Sequence, residues 1–198
     1  MAGGGGGGIP YFSQTHFRFR KDDGSETTAT WRAAEDTNVS IALDESFRLR
    51  IQIKETAGVA WPGSYFTLVY SLNSSGYYSS ISDTTRVQFV ASSNFADGDD
   101  CTALLTSNGT FVSDNNGMRE SPSAIYNSGS ASNYFECEFC LKLDSGQIDV
   151  DDTLDFRVYI GAEGGPINTY AVTPRATASS GSTGIPKHFL HYARLRGN

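Results

Sequence analysis

The residues best equipped for chemistry in this chain are two thiols and two imidazoles at ligand-like spacing, Cys137-x-x-Cys140 and His188-x-x-His191. Two thiolates and two neutral imidazoles make a tetrahedral zinc site when they converge. The local pattern around the cysteines argues against convergence. Phe135, Cys137, Phe139, Leu141 and Leu143 alternate with Glu136, Glu138, Lys142 and Asp144, which is the period of a strand. On that period positions 137 and 140 point to opposite faces unless a bulge intervenes. Cys137 therefore reads as a core thiol and Cys140 as an exposed one, with no metal and no other cofactor expected. Cys101 makes the count three, an odd number in a chain long enough to bury a core without staples. All three read as free thiols in a reducing compartment.

The remaining chemical candidates have plainer readings. Asp97, Asp99 and Asp100, and again Asp149, Asp151 and Asp152, offer oxygen ligands of the kind calcium takes, but neither group follows the spacing of a calcium loop. They read as solvated turn carboxylates. No serine sits in a G-x-S-x-G elbow, and His16, His188 and His191 lie towards the chain ends, so no hydrolase constellation forms along the sequence. A distant pair of carboxylates can still meet in space, as glycosidases require. No catalytic residue is assigned and the chain is not read as an enzyme. Asn38, Asn73 and Asn108 begin acceptor patterns for glycosylation that carry no weight without a secretory route.

Binding chemistry is better represented. Trp61 precedes Pro62-Gly63, and Tyr77 and Tyr78 follow the Asn73-Ser74-Ser75-Gly76 turn signal. Exposed rings in such places stack on sugars or anchor protein interfaces. The tail carries Lys187, Arg194 and Arg196 beside Phe189, Leu190, Tyr192 and Leu195, a basic and aromatic end on an otherwise acidic chain. That combination complements an acidic neighbour. At the other end six consecutive glycines precede Ile9, Pro10, Tyr11 and Phe12, a run without local propensity that leads into an apolar contact segment.

Alternation identifies the elements that must position these groups. Phe47, Leu49, Ile51 and Ile53 alternate with Arg48, Arg50, Gln52 and Lys54, which predicts a half-buried antiparallel strand. The 135–144 segment repeats the pattern, and Leu154, Phe156, Val158 and Ile160 repeat it opposite Asp155 and Arg157. Weaker versions cover His16 to Arg20, Phe66 to Leu72, Arg86 to Val90 and Asn168 to Val172. Turn chemistry falls at Asp22-Asp23-Gly24, Asn73 to Gly76, Asn115-Asn116-Gly117 and Asn127-Ser128-Gly129. One helical turn fits Arg32 to Asp36. Seven or more short strands predict an all-β fold, a two-sheet antiparallel sandwich with extended terminal arms. Residues 1–14 read as an N-terminal arm, 15–178 as the sandwich, and 179–198 as a flexible joint and C-terminal arm. The long polar stretch Ala91 to Ser132 is expected to face a partner.

Composition narrows the partners. A formal charge of −7 and a sequence pI near 4.9 leave no basic stripe for nucleic acid. No apolar run reaches the roughly 20 residues of a membrane span, and no signal-like start is present, so the chain reads as soluble.

Several segments in order carry a resemblance. Phe17-Arg18-Phe19-Arg20-Lys21-Asp22-Asp23-Gly24-Ser25-Glu26-Thr27, Ala29-Thr30-Trp31 and Ala33-Ala34-Glu35-Asp36-Thr37 are followed by Phe47 to Ile51, Phe66 to Ser71, Phe135 to Leu143, Asp152 to Val158 and Thr169 to Pro174. Together, over about Thr15 to Thr177, they resemble an immunoglobulin-like domain of prokaryotic surface proteins and phage virion proteins. The resemblance implies an immunoglobulin-like strand order, with a jelly roll as the alternative. It also implies a virion structural protein, most simply a capsid decoration or cement protein. Such a protein is made in the host cytoplasm, located in the virion, and bound to the major capsid protein or another virion protein and to copies of itself. The contact residues would be Ile9, Pro10, Tyr11, Phe12, Lys187, Phe189, Tyr192, Arg194 and Arg196. The alternative is a tail-fibre or cell-surface adhesin binding carbohydrate through Trp61, Tyr77 and Tyr78.

Overall fold

A computed structural model of the chain describes residues 8–82, 84–113, 116–161 and 164–181. Among them there are strands and turns and no helix, so Arg32 to Asp36 forms bends and a turn instead of the expected helical turn. In chain order the strands are β1 (Phe12–Lys21), β2 (Val39–Ala42), β3 (Phe47–Glu55), β4 (Trp61–Leu72), β5 (Ser79–Ser80), β6 (Val87–Phe89) and β7 (Met118–Arg119). They continue with β8 (Ile125–Gly129), β9 (Tyr134–Leu143), β10 (Thr153–Ile160), β11 (Gly165–Pro166), β12 (Thr169–Tyr170) and β13 (Arg175–Ser179).

These strands form two sheets. The first runs β12-β1-β3-β9-β6 with β7 beside β9. The second runs β2-β13-β10-β4-β5, with β11 beside β10 and β8 beside β4. Both are mixed, which corrects the expectation of wholly antiparallel sheets: β1–β12, β7–β9 and β2–β13 pair in parallel. Parallel neighbours need a long crossover. Here the intervening chain supplies it, because β1 and β2 meet strands more than a hundred residues later.

The alternating residues fill the space between the sheets. Phe47, Leu49, Ile51 and Ile53 of β3, Phe135 and Leu141 of β9, and Leu154, Phe156 and Val158 of β10 have no exposed surface. Phe66 of β4 lies 4.8 Å from Phe135, and Phe47 lies 6.5 Å from Phe156, so aromatic contacts join the two layers. Each such side chain contributes roughly 1.5–3 kcal/mol on burial.

Two local signals resolve differently from the sequence reading. Asn73 and Ser74, at φ of 49° and 52°, turn the chain after β4 as expected. Asn127-Ser128-Gly129, expected as a turn, lies within β8. Gly129 serves close packing there, because a Cβ would stand 2.4 Å from the Trp61 ring. The turn falls later, and Ser132 supplies its positive φ of 62°.

Phe12 belongs to β1 and not to a terminal arm. It is 2% exposed and meets Trp61 edge-on at 5.4 Å and Phe66 at 5.3 Å. A buried glutamate anchors this pole: the Glu55 carboxylate accepts amide hydrogens from Ala57 at 2.7 Å, Gly58 at 3.0 Å, Val59 at 3.1 Å and Ser132 at 2.9 Å. Burial alone would raise its pKa, but these donors outweigh burial and hold the carboxyl below its usual value.

Candidate interaction face

The outer faces of the two sheets differ in kind. On the first sheet, Arg48 and Arg50 of β3 and Glu136 and Glu138 of β9 were expected in solvent, yet all have no exposed surface. Two segments cover them, residues 22–36 and residues 92–106. The 92–106 segment falls within the stretch expected to face a partner, and its inner side is spent on this cover.

The covered layer is a network of charges. Glu138 accepts from Arg20 at 3.1 Å, Arg48 at 3.2 Å and Arg50 at 2.6 Å, while Arg50 also reaches Glu136 at 2.8 Å. Asp22 takes Arg48 Nε at 2.7 Å and Glu26 pairs with Arg50, which ties the 22–36 cover to the sheet. Arg50 donates to the Thr102 carbonyl at 2.9 Å, and Glu136 accepts the Leu104 and Leu105 amides at 3.1 and 2.9 Å, which ties the second cover.

The titration shifts follow from this placement. Burial drags the Arg20 guanidinium down. Burial works against Arg50 as well, but Glu138 and its other neighbours hold that group well above its ordinary value. Glu136 is raised, burial outweighing Arg50. Asp22 and Glu26 are lowered: for each, burial is exceeded by its hydrogen-bonding and charged partners.

On the second sheet the outward side carries several tyrosines, two of them well exposed. Tyr65 of β4 pairs across strands with Tyr126 of β8, ring centroids 5.0 Å apart, and the two are 48% and 50% exposed. Gly63 makes room for this pair, since a Cβ there would stand 2.0 Å from the Tyr126 hydroxyl. Further along the face Tyr159 lies 5.9 Å from Tyr78. Arg157 stacks between Tyr78 at 4.6 Å and Tyr170 at 4.2 Å, and among the described residues it has no carboxylate partner within salt-bridge distance. Burial raises the Tyr78 phenol and pushes Tyr170 up to about 12.

Beside this stack a cleft of about 520 Å³ is lined by Asn38, Ser74, Tyr78, Asp155, Arg157 and Arg175. Arg175 grips Asp155 in a fork, Nε to Oδ1 at 2.6 Å and Nη2 to Oδ2 at 3.0 Å. Phenol rings, hydroxyls and a guanidinium without a carboxylate partner among the described residues suit a partner that brings acidic and polar groups.

Residues singled out in the sequence land unevenly on this arrangement. Tyr78 is on the face and Tyr77, 84% exposed, beside it. Trp61 is corrected: it is 2% exposed, donates from Nε1 to the Asn127 carbonyl at 3.2 Å, and has no free ring face to offer. Ile9 and Tyr11 are exposed and Pro10 is half-buried. They stand at the pole of the β3–β4 turn, and Phe12 is buried. Lys187, His188, Phe189, His191, Tyr192, Arg194 and Arg196 lie outside the described residues.

Cys137 and Cys140 lie on opposite faces of β9, but Cys140 is buried under the cover and not exposed. The aspartates at 97, 99 and 100 brace their own loop, accepting amides from Glu120, Ala96 and Asn116. The sequence reading missed Arg157, Tyr159, Tyr170 and Arg175 as a group. Comparisons with protein-family models, curated proteins and solved structures each find no match.

Proposed function

We propose that this chain is a phage virion structural protein, a capsid decoration protein of immunoglobulin-like type that works by binding. The observation that carries the reading is the asymmetry of the sheets: one outer face is covered by the chain's own loops, and the other presents tyrosines and Arg157, which among the described residues has no carboxylate partner. Tyrosine and arginine are the residues that dominate binding energy at protein interfaces. The major capsid protein and neighbouring copies are the partners, with the tyrosine face as the docking surface.

Strand order supports the immunoglobulin-like type. In the first sheet β1, β3, β9 and β6 stand where strands A, B, E and D stand in that fold. In the second, β13, β10 and β4 stand as G, F and C, with β5 extending the sheet and β2 beside G. A jelly roll, built from antiparallel pairs, gives no place to the parallel β2–β13 pair. The virion placement rests on the resemblance of residues 15–177. The described chain also leaves the sandwich at opposite ends of β3: Tyr11 bonds Thr56 beyond its end, and Ser179 bonds Leu43 before its start. A nine-residue strand spans about 30 Å, so the two ends of the described chain stand well apart.

The test is occupancy on particles. Density-purified particles of the phage encoding this chain should contain it at stoichiometric copy number by quantitative mass spectrometry. Tyr65→Ala with Tyr126→Ala should lower that occupancy at least about tenfold while the protein stays folded. Absence of the chain from particles defeats the virion reading, and unchanged occupancy of the variant defeats the face.

The cleft favours one second reading, a carbohydrate-binding adhesin. Aromatic and polar groups converge there in the way sugar sites require. Glycan-array binding that disappears with Tyr78→Ala is its expected result, and an array without binding removes it.

A further inference from the structure

We infer that His16, Glu35 and Asp36 form a binding site for a divalent transition metal ion, with zinc as the natural probe. A bulge in β1 creates the arrangement. Pairing with β3 shifts register between Gln14 and His16, so Phe12 and Gln14 face inward before the shift and Phe17 and Phe19 after it. Without the extra residue, His16 would point into the core. With it, the imidazole points outward at the turn carrying Glu35 and Asp36.

Both carboxylates are held by one oxygen, with the other turned to His16. Asp36 Oδ1 accepts the Phe17 amide at 2.9 Å, and Glu35 Oε2 accepts the Thr106 amide at 2.9 Å. Their other oxygens stand 2.8 and 3.2 Å from His16 Nδ1. Three donor atoms, one nitrogen and two oxygens, thus lie within 4.8 Å of one another. Ligands held at roughly 2.0–2.2 Å around one zinc ion are themselves about 3–3.5 Å apart, so small rotations complete the coordination.

Backbone amides on the outer oxygens are the orienting partners that metal-binding carboxylates use. Among the described residues, no lysine or arginine lies within salt-bridge distance of either carboxylate. Imidazole favours zinc and its first-row neighbours over magnesium and calcium. Side-chain exposures of 32%, 23% and 32% leave the fourth position open to water or to a partner's ligand.

An ion here would join β1 to the 32–36 turn and, through Glu35 and Thr106, to the second cover. The site is independent of the tyrosine face. Its test uses the full chain, stripped with EDTA, desalted and kept reduced, with zinc chloride added in calorimetry and in thermal unfolding. One equivalent should bind and raise the melting temperature. His16→Ala and the near-isosteric Glu35→Gln should each weaken binding at least about tenfold, with an unchanged melting temperature in EDTA showing that they fold. The double variant His188→Ala/His191→Ala should bind as the parent does. Zinc binding that survives His16→Ala and vanishes in the tail variant overturns the assignment, as does no binding up to about 1 mM zinc.

Discussion

Replacing Glu138 by glutamine should cost more stability than any exposed charge in the chain could. The substitution keeps shape and one acceptor oxygen but removes the charge on which Arg20, Arg48 and Arg50 converge at 3.1, 3.2 and 2.6 Å. All four side chains are fully buried, so water cannot screen what is left. Three charge-assisted hydrogen bonds are worth roughly 1.5–3 kcal/mol each, and the new amide recovers part of that sum. Removing one member of a buried ion pair typically costs about 3–5 kcal/mol. We expect that loss here, a large share of the roughly 5–15 kcal/mol of a natural domain. Equilibrium unfolding in urea, which unlike guanidinium adds no salt, gives the number. Hydrogen exchange should speed up first in residues 22–36 and 92–106, the segments that the network holds down. A loss below about 1 kcal/mol with an unchanged denaturant slope would refute the view that the charged layer fastens the cover.

Three further outcomes follow from the same packing. Asp22, Glu26 and Glu55 are held below their ordinary values of 3.8, 4.5 and 4.5. Their stabilisation is complete above those values and is lost as pH falls through the lower folded ones, whereas raised Glu136 contributes with the opposite sign. Stability in urea should therefore decline as pH falls below about 4, where Glu136 no longer opposes the loss, and a stability maximum below pH 4 would contradict this balance. Cys101, Cys137 and Cys140 are buried with their thiols pushed up by burial, so none should react with iodoacetamide in the native protein and all three in urea, counted by intact mass. Trp61→Ala should cost about 3–5 kcal/mol through the cavity left beside Phe12 and Gly129, and a change under about 1 kcal/mol would mean that the ring is not packed there.

The inner faces were legible in the sequence because period two is unambiguous where Phe47, Leu49 and Ile51, or Leu154, Phe156 and Val158, recur. The outer face of the first sheet was not. Arg48, Arg50, Glu136 and Glu138 read as solvent-facing by the same rule, and nothing local announces that residues 22–36 and 92–106 will lie on top of them. One signal was present: the covered positions use arginine, and among the described strands lysine appears only towards strand ends at Lys21, Lys54 and Lys142, where side chains still reach water. Arginine suits buried, forked pairing in a way lysine does not.

Trp61 misled because Trp-Pro-Gly resembles a loop, while its β8 partner was concealed in a segment with turn composition. Tyr77 was legible as an exposed aromatic, whereas Tyr78 is half-buried against Arg157 and Tyr159. Their companions Arg157, Tyr159 and Arg175 come from β10 and β13 and join them only through strand order. His16, Glu35 and Asp36 escaped for a related reason, since nothing local announces that the 35–36 turn lies against the strand that carries His16.

Hydroxyl-radical footprinting of the chain, free and on the proposed phage particle, tests the sidedness of contact most directly because it reads side chains and not backbone. Tyr65, Tyr126 and Tyr159 should lose reactivity on the particle, while Phe95 and Phe111, on the loops beside the first sheet, keep theirs. Loss at Phe95 and Phe111 with unchanged Tyr65 and Tyr126 would place the contact on the opposite side and contradict the account.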